Sequence, residues 1–246
     1  MRITEMSVAL VDVMGDDLSV CQAARVSFAK ESCLEVVCWG CHWKGVYPNS
    51  DNCPQCGEDN EGWEKEGVLS DRDAKLINYL ATHNHWTPFS HPQLSFRIKA
   101  PIFVARQWFK HMIGITRNET SRRYVDSEPE FWFPKEWRGR PEGSVKQGSS
   151  GVVALGDAAE IKSTIRQCLE RYNYMLEMGV APEQARMILP QNMMTEWVET
   201  ASLAAAARAC KLRLDPHAQA ETREIAQAIS DIAEGFFPVS WSALMQ

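Results

Sequence analysis

No apolar run in this 246-residue chain approaches the roughly 20 residues that a membrane-spanning helix needs. The opening stretch MRITEMSVALVDV has no basic region ahead of its apolar residues. It is therefore expected to be a strand that starts the fold, not a secretion signal, and cytoplasm is the expected location. Positive charge is in deficit as well: 26 Lys and Arg against 32 Asp and Glu leave a net charge of -6. That balance argues against general affinity for nucleic acid but leaves room for a local basic pocket. The sequence contains no internal repeat. What is present is ordinary for a globular protein: 45 % hydrophobic and 24 % charged residues, enough for a core of normal size without disulfide staples.

Residues 6–13 are apolar and β-branched enough for a buried strand, and a short helix through Cys21, Ala23, Ala24 and Val26 should follow. From residue 31 to 67 the composition shifts to Cys, Trp, Gly, Asn and Asp without helical periodicity, which marks an inserted module. Residues 1–30 and 68–246 form the main domain. Ser70 and Asp73 resemble a capping box ahead of the stripe Leu76, Ile77, Leu80. QLSFRIK at 93–99 alternates strictly and predicts a half-buried strand. Pro101 suits the first turn of the next helix. A polar loop spans about 127–156, and a helix carrying Ile161, Ile165, Cys168, Leu169, Tyr172 and Leu176 ends before Gly179. Further helices are expected over about 195–211 and 217–234. The expected class is α+β, a mixed sheet packed with long helices.

Eight cysteines are informative because four fall in a ligand pattern. Cys38-x-x-Cys41 and Cys53-x-x-Cys56 are two knuckles separated by eleven residues. Such pairs can set four thiolates tetrahedrally around Zn²⁺ at about 2.3 Å. Two disulfides are the plainer alternative, disfavoured where no secretion signal is present. An all-cysteine site is closed and structural. Trp39, Trp43 and Tyr47 are expected to be the core of this small module, and His42 competes only weakly as a ligand. The remaining cysteines, Cys21, Cys33, Cys168 and Cys210, read as small buried hydrophobes, and Met187, Met193 and Met194 as core.

The densest chemistry lies in RQWFKHMIGITRNETSRRY at 106–124. On a helix opened by Pro101, Arg106 and Lys110 share a face, as do Gln107 and His111. Arg117, Arg122 and Arg123 crowd around Asn118, Glu119 and Ser121. A phosphate-bearing ligand is one natural counter-charge, because guanidinium groups bind its oxygens in pairs. A solvated basic face is the other reading.

NETSRRY at 118–124 resembles half of the signature of the flavin-dependent thymidylate synthases, and Lys110-His111-Met112 resembles the other half. Segments over about 6–30 and 70–240, among them HNHWTPFSHPQLSFRIKAPIFVARQWF, ARMILP and LRLDPHAQAE, are similar to family segments in the same order. The resemblance implies a methyltransferase that makes dTMP from dUMP, with methylenetetrahydrofolate as carbon donor and FAD, reduced by NADPH, as hydride carrier. It implies a homotetramer with shared active sites. It assigns Gln107, Glu119, Ser121, Arg123, Arg186 and Arg213 to dUMP, Arg186 toward the phosphate and Arg213 toward the pyrimidine. Arg213 is the choice for stabilising charge that develops on the ring; Ser121 has no Ser-His-Asp company and goes with the nucleotide. Ser27, His85, Lys110, His111, Asn118 and His217 are assigned to the flavin and folate pocket, whereas His83 and His91 read as structural. Lys110 and Met112 replace two arginines of the signature, one extra residue separates His111 from Asn118, and Ser202 and Arg208 stand where the family has asparagines. Met112, Ser202 and Arg208 motivate one rival, a flavin-dependent deoxypyrimidine hydroxymethylase on the same scaffold; the zinc ribbon as working surface motivates a second, a module that binds nucleic acid or protein without catalysis.

Overall fold

The computed structural model describes residues 1–46, 52–57, 59, 67–125, 127–141, 148–155 and 158–246. The chain opens with β1 (Arg2–Ile3), β2 (Ser7–Met14), α1 (Asp17–Arg25), β3 (Glu35–Val37), β4 (Lys44–Val46) and α2 (Asp71–Thr82). Next come β5 (Gln93–Pro101), α3 (Ile102–Trp108), β6 (Ile115–Glu119), β7 (Glu130–Phe131), β8 (Arg138–Gly139) and β9 (Ser150–Val152). The last part holds α4 (Ala158–Glu177), α5 (Pro182–Ala185), β10 (Met194–Ser202), α6 (Leu203–Arg213), α7 (Ala220–Phe236) and α8 (Pro238–Met245).

The fold is α+β. Its central sheet runs β2-β5-β10-β6 with antiparallel neighbours, while β1 and β7 pair in parallel. The alternation of β5 places Leu94, Phe96 and Ile98 in the core without exposure, opposite Ala201, Glu199 and Trp197 of β10. On that core lie α6, α7 and α8. The alanines of α6 keep it thin enough for close packing, and Ile225, Ile229, Phe237 and Trp241 complete the cluster. A second cluster joins Ile165, Leu169 and Tyr172 of α4 to Phe131, Ala185 and Met193. Distant polar groups lock the helices in place. The Asp17 carboxylate accepts the Val239 and Ser240 N–H groups at 2.9 and 2.8 Å, supplying the first turn of α8 with its missing acceptors. Ser70 caps α2 by accepting the Asp73 N–H at 3.1 Å, but the reciprocal half of the expected capping box is absent, because the Asp73 carboxylate is bonded to Arg25, Ser32 and the Ser70 hydroxyl instead.

Several expectations change. The strand expected to be buried, β2, is an edge strand, half-exposed along its length, with a bulge between Leu10 and Asp12 that turns Val11 out to solvent. The helix expected over 195–211 is a strand through Ser202 followed by α6; the alanine run is helical, but the residues before it alternate across a sheet. Pro101 ends β5 and stands just outside α3. Because α3 stops at Trp108, Lys110 and His111 lie beyond it and share no helical face with Arg106 and Gln107. Met187 is exposed while Met193 and Met194 are buried, and Cys33 is exposed and Cys168 half-buried. Burial pushes the Cys21 thiol up to about 12, which suits an inert core residue. In the cysteine module Trp43 packs on Val36, Cys38 and Cys53, but Trp39 is exposed, and Tyr47 lies outside the described residues. Gly45 lets that packing happen, since a Cβ there would meet the Trp43 ring at 2.5 Å.

Candidate active site

Most of the residues singled out from the sequence fall into three neighbourhoods of the chain. The first surrounds His111. Leaving α3, the chain turns His111 inward, where it is 9 % exposed and packs on the Trp108 ring. Arg213, at the end of α6, donates from Nε to His111 Nε2 at 2.9 Å and from a terminal nitrogen to the Gln107 carbonyl at 3.4 Å. An acceptor Nε2 requires a neutral imidazole with its proton on Nδ1. Burial, then Arg213, Arg117 and Arg208 in turn, lower the His111 pKa to about 4. Gln107 is fixed from the other side by the Thr222 hydroxyl, which donates to its side-chain oxygen. Nearby, a cleft of about 400 Å³ is lined by Gln107, Arg138, Ser149, His217 and Gln219. His217 is exposed, its ring and backbone N–H both held by Asp215.

Beneath His111 lies a buried carboxylate that sequence reasoning missed. Glu199, 1 % exposed, accepts from the indoles of Trp108 and Trp197 and from Arg117, whose other end donates to the His111 carbonyl. Arg117 is thus held inside the protein by Nε and Nη1, with Nη2 buried and unpartnered among the described residues, and is not part of an exposed basic face. The signal available is an acidic residue at an inward position of an alternating strand, masked by the helix-forming alanines that follow it.

The second neighbourhood is a cleft of about 980 Å³ that includes Glu119, Ser121, Arg122, Glu183 and Arg186. Glu119, at the end of β6, accepts the Thr195 hydroxyl at 2.6 Å. Ser121 Oγ accepts the Arg123 N–H at 3.3 Å, and the Arg123 side chain reaches Glu183 at 3.3 Å on the surface. Asn118 is exposed on β6, and Lys110 is exposed past α3.

The third is a cleft of about 880 Å³ between the 23–30 segment and α2, closed at one end by residues 84–91. It takes in Ser27 and His85, with Arg25, Lys30 and Arg72 for charge and Phe28, Tyr79 and Trp86 for aromatic surface; no acidic residue lines it. His83 stands outside it, bonded to the Tyr79 carbonyl at 2.8 Å.

The four cysteines also converge. Cys38 and Cys56 sulfurs lie 3.6 Å apart, Cys41 and Cys53 sulfurs 3.7 Å, and all four lie within 4.8 Å of one another. A disulfide needs about 2.05 Å, whereas a tetrahedron with about 2.3 Å Zn–S bonds has edges near 3.8 Å. The spacing fits a tetrahedral metal site and not a pair of disulfides.

Compared with known proteins, residues 9–239 match the Thy1 family, described as thymidylate synthase complementing protein. The chain is 37 % identical over 238 residues to a flavin-dependent thymidylate synthase of Thermus thermophilus, covering 96 % of this chain and 74 % of that one. It is 33 % identical to one from Thermosipho africanus, covering 96 % and 90 %. The chain belongs to the flavin-dependent thymidylate synthase family. The fold is shared with a UMP/dUMP methylase, PolB, of Streptomyces cacaoi, at a TM-score of 0.74 and 24 % identity over 98 % of this chain and 95 % of that one. Among this family member's described residues, no helix is long and apolar enough to cross a membrane.

The departures from the family signature sit together. Ser202 donates its backbone N–H to the Gly114 carbonyl at 3.0 Å, and Arg208 donates to the Ile113 carbonyl, so both brace the turn after exposed Met112. Gly114 adopts φ +77° there, and a Cβ would meet Ala205 at 2.9 Å.

Proposed function

We propose that the protein methylates dUMP to dTMP, taking the carbon from methylenetetrahydrofolate. The match to relatives of that name along nearly the whole chain carries this reading. The three neighbourhoods supply parts for it. Arg123 and Arg186, with Ser121 and Glu119, would hold dUMP, the guanidiniums toward its phosphate. Arg213, preset by neutral His111 and the Gln107 carbonyl, would donate to the uracil carbonyl as negative charge builds on the ring. A donor fixed in advance does not have to reorganise during the reaction.

The acid-free cleft at Ser27 and His85 fits a dinucleotide, with Arg25, Lys30 and Arg72 for phosphates and exposed aromatics for ring stacking. FAD held there, once reduced by NADPH, would supply hydride. Lys110, His111, Asn118 and His217 would border flavin and folate. The separation of these sets within one protomer supports active sites completed between subunits of a homotetramer. The four cysteines would hold a structural Zn²⁺.

One observation favours a second reading. The departures at Met112, Ser202 and Arg208 gather at a single turn, which is how a change of product on the flavin side would be built. In that case water takes the place of hydride and the product is hydroxymethyl-dUMP.

The test is anaerobic addition of NADPH and then dUMP with methylenetetrahydrofolate, followed by absorption and mass analysis. Bleaching of flavin bands with dTMP as sole product is expected. A hydroxymethyl product would transfer the reading to the rival, and a protein that takes up no FAD would end the flavin assignment.

A further inference from the structure

We propose that the cysteine module, closed by zinc, is a brace that ties together the two walls of the Ser27–His85 cleft. The chain leaves one wall at Lys30 to enter the module and returns from it at Ser70 into the other wall, α2. The two legs meet at its neck. Glu35 and Val68 exchange backbone hydrogen bonds of 2.8 and 2.6 Å, continuing the β3–β4 hairpin that carries Cys38. Cys38 closes that hairpin, its N–H bonding the Trp43 carbonyl, and its sulfur faces Cys56 of the second knuckle.

Below the neck the contacts reach the cleft itself. Ser32 donates its hydroxyl to Asp73 Oδ1 at 2.9 Å, and its carbonyl accepts from Gln22 of α1 at 3.4 Å. Asp73, on α2, also receives Arg25, which lines the opposite wall. Burial alone would raise the Asp73 pKa. Hydrogen bonds from Arg25, Ser32 and Ser70, with the Arg25 charge, hold it below the usual carboxylate range instead. A carboxylate from one wall, a guanidinium from the other and a hydroxyl from the leg of the insertion therefore share one buried point. With the knuckles open, the neck keeps the β3–β4 ladder beside it but loses the sulfur closure between the two halves of the module, and Ser32 loses its placement against Asp73. Arg25 and the 26–30 turn, where Ala29 holds a left-handed φ of 49°, then lose their backing.

The proposal rests on the flavin assignment of this cleft only for the identity of the ligand; the brace itself concerns this chain's own residues. The test uses full-length protein as purified, protein stripped with a chelator and restored with zinc, and a Cys53→Ser/Cys56→Ser variant. Zinc content, amide exchange along the chain and the FAD dissociation constant are measured on each. Expected are one zinc per chain and, on stripping, exchange at least tenfold faster in 23–30 and 71–80, with β5 and β10 unchanged. FAD affinity falls about tenfold, and zinc restores both properties. Because the cysteine variant can fail to fold, Ser32→Ala provides a second arm: it keeps zinc but loosens the 23–30 segment, and Ser32→Thr rescues it. Zinc absent from the purified protein, or zinc removed without any change in cleft exchange, would overturn the brace. Faster exchange in a protein that never bound FAD would leave the brace standing and remove the flavin assignment.

Discussion

Arg213 Nε points its hydrogen at His111 Nε2 across 2.9 Å, an arrangement possible only while the imidazole is neutral. Two cationic groups cannot share that contact, so the pair is set for service at neutral pH and is lost in acid.

The consequence for stability has a definite sign. The His111 pKa is depressed in the fold, from 6.5 to about 4, so between those values the unfolded chain binds more protons than the folded one. Stability from this group is complete above pH 6.5 and declines as pH falls toward 4, by about 3 kcal/mol in all. Urea denaturation at pH 7.5 and 4.5 measures the decline, and His111→Gln, which cannot take the proton, should flatten it.

Arg213 is expected to matter more for turnover than for folding. Arg213→Ala should lower kcat with dUMP by roughly a hundredfold or more, the usual cost of removing one preset donor. Arg213→Lys keeps charge but not the fork, so it should recover little. Steady-state kinetics beside a thermal melt separates the two effects. A Tm that collapses together with kcat would mean that the arginine is chiefly structural.

Glu199 carries the opposite expectation. Removing it leaves Arg117 and two indole N–H groups buried without their acceptor. Glu199→Ala should therefore destabilise by about 3–5 kcal/mol. Combining it with Arg117→Met removes both charges and should return part of that loss, which a double-mutant cycle in urea would measure.

Asp17 tests the tie between the ends of the chain. Asp17→Ala withdraws the acceptor from two N–H groups of α8, and a loss of about 1–2 kcal/mol is expected. Asp17→Asn, which retains an acceptor oxygen, should cost less in the same denaturation experiment.

Local chemistry was legible and long-range pairing was not. Ser70, the alternation of β5, the stripe of α4 and the stop at Gly179 each rest on a few adjacent residues, and each stands where the sequence put it. The four cysteines converge as their spacing required. β10 was hidden because the helix-forming alanines next to it lent their propensity to MTEWVETAS, and because a buried Glu199 imitates a solvent-facing one. Its partners lie 82 and 91 residues away in sequence, where no local pattern reaches. The edge position of β2 was equally invisible, since the same apolar residues would serve a central strand. For the candidate site, the motif named the residues, but which of them share a cleft depends on topology, which no local pattern carries.

The neck at Glu35 and Val68 also bears on the order of folding. Arg25 must find Asp73 across 48 residues of chain. Once the neck has closed, the path is ten residues to Glu35 and five on from Val68. Loop-closure entropy then falls by about 1 kcal/mol. If the zinc-bound module forms first, refolding followed by tryptophan fluorescence should be several-fold faster with zinc than with chelator. The segment between Glu35 and Val68 then serves the chain as a shortcut.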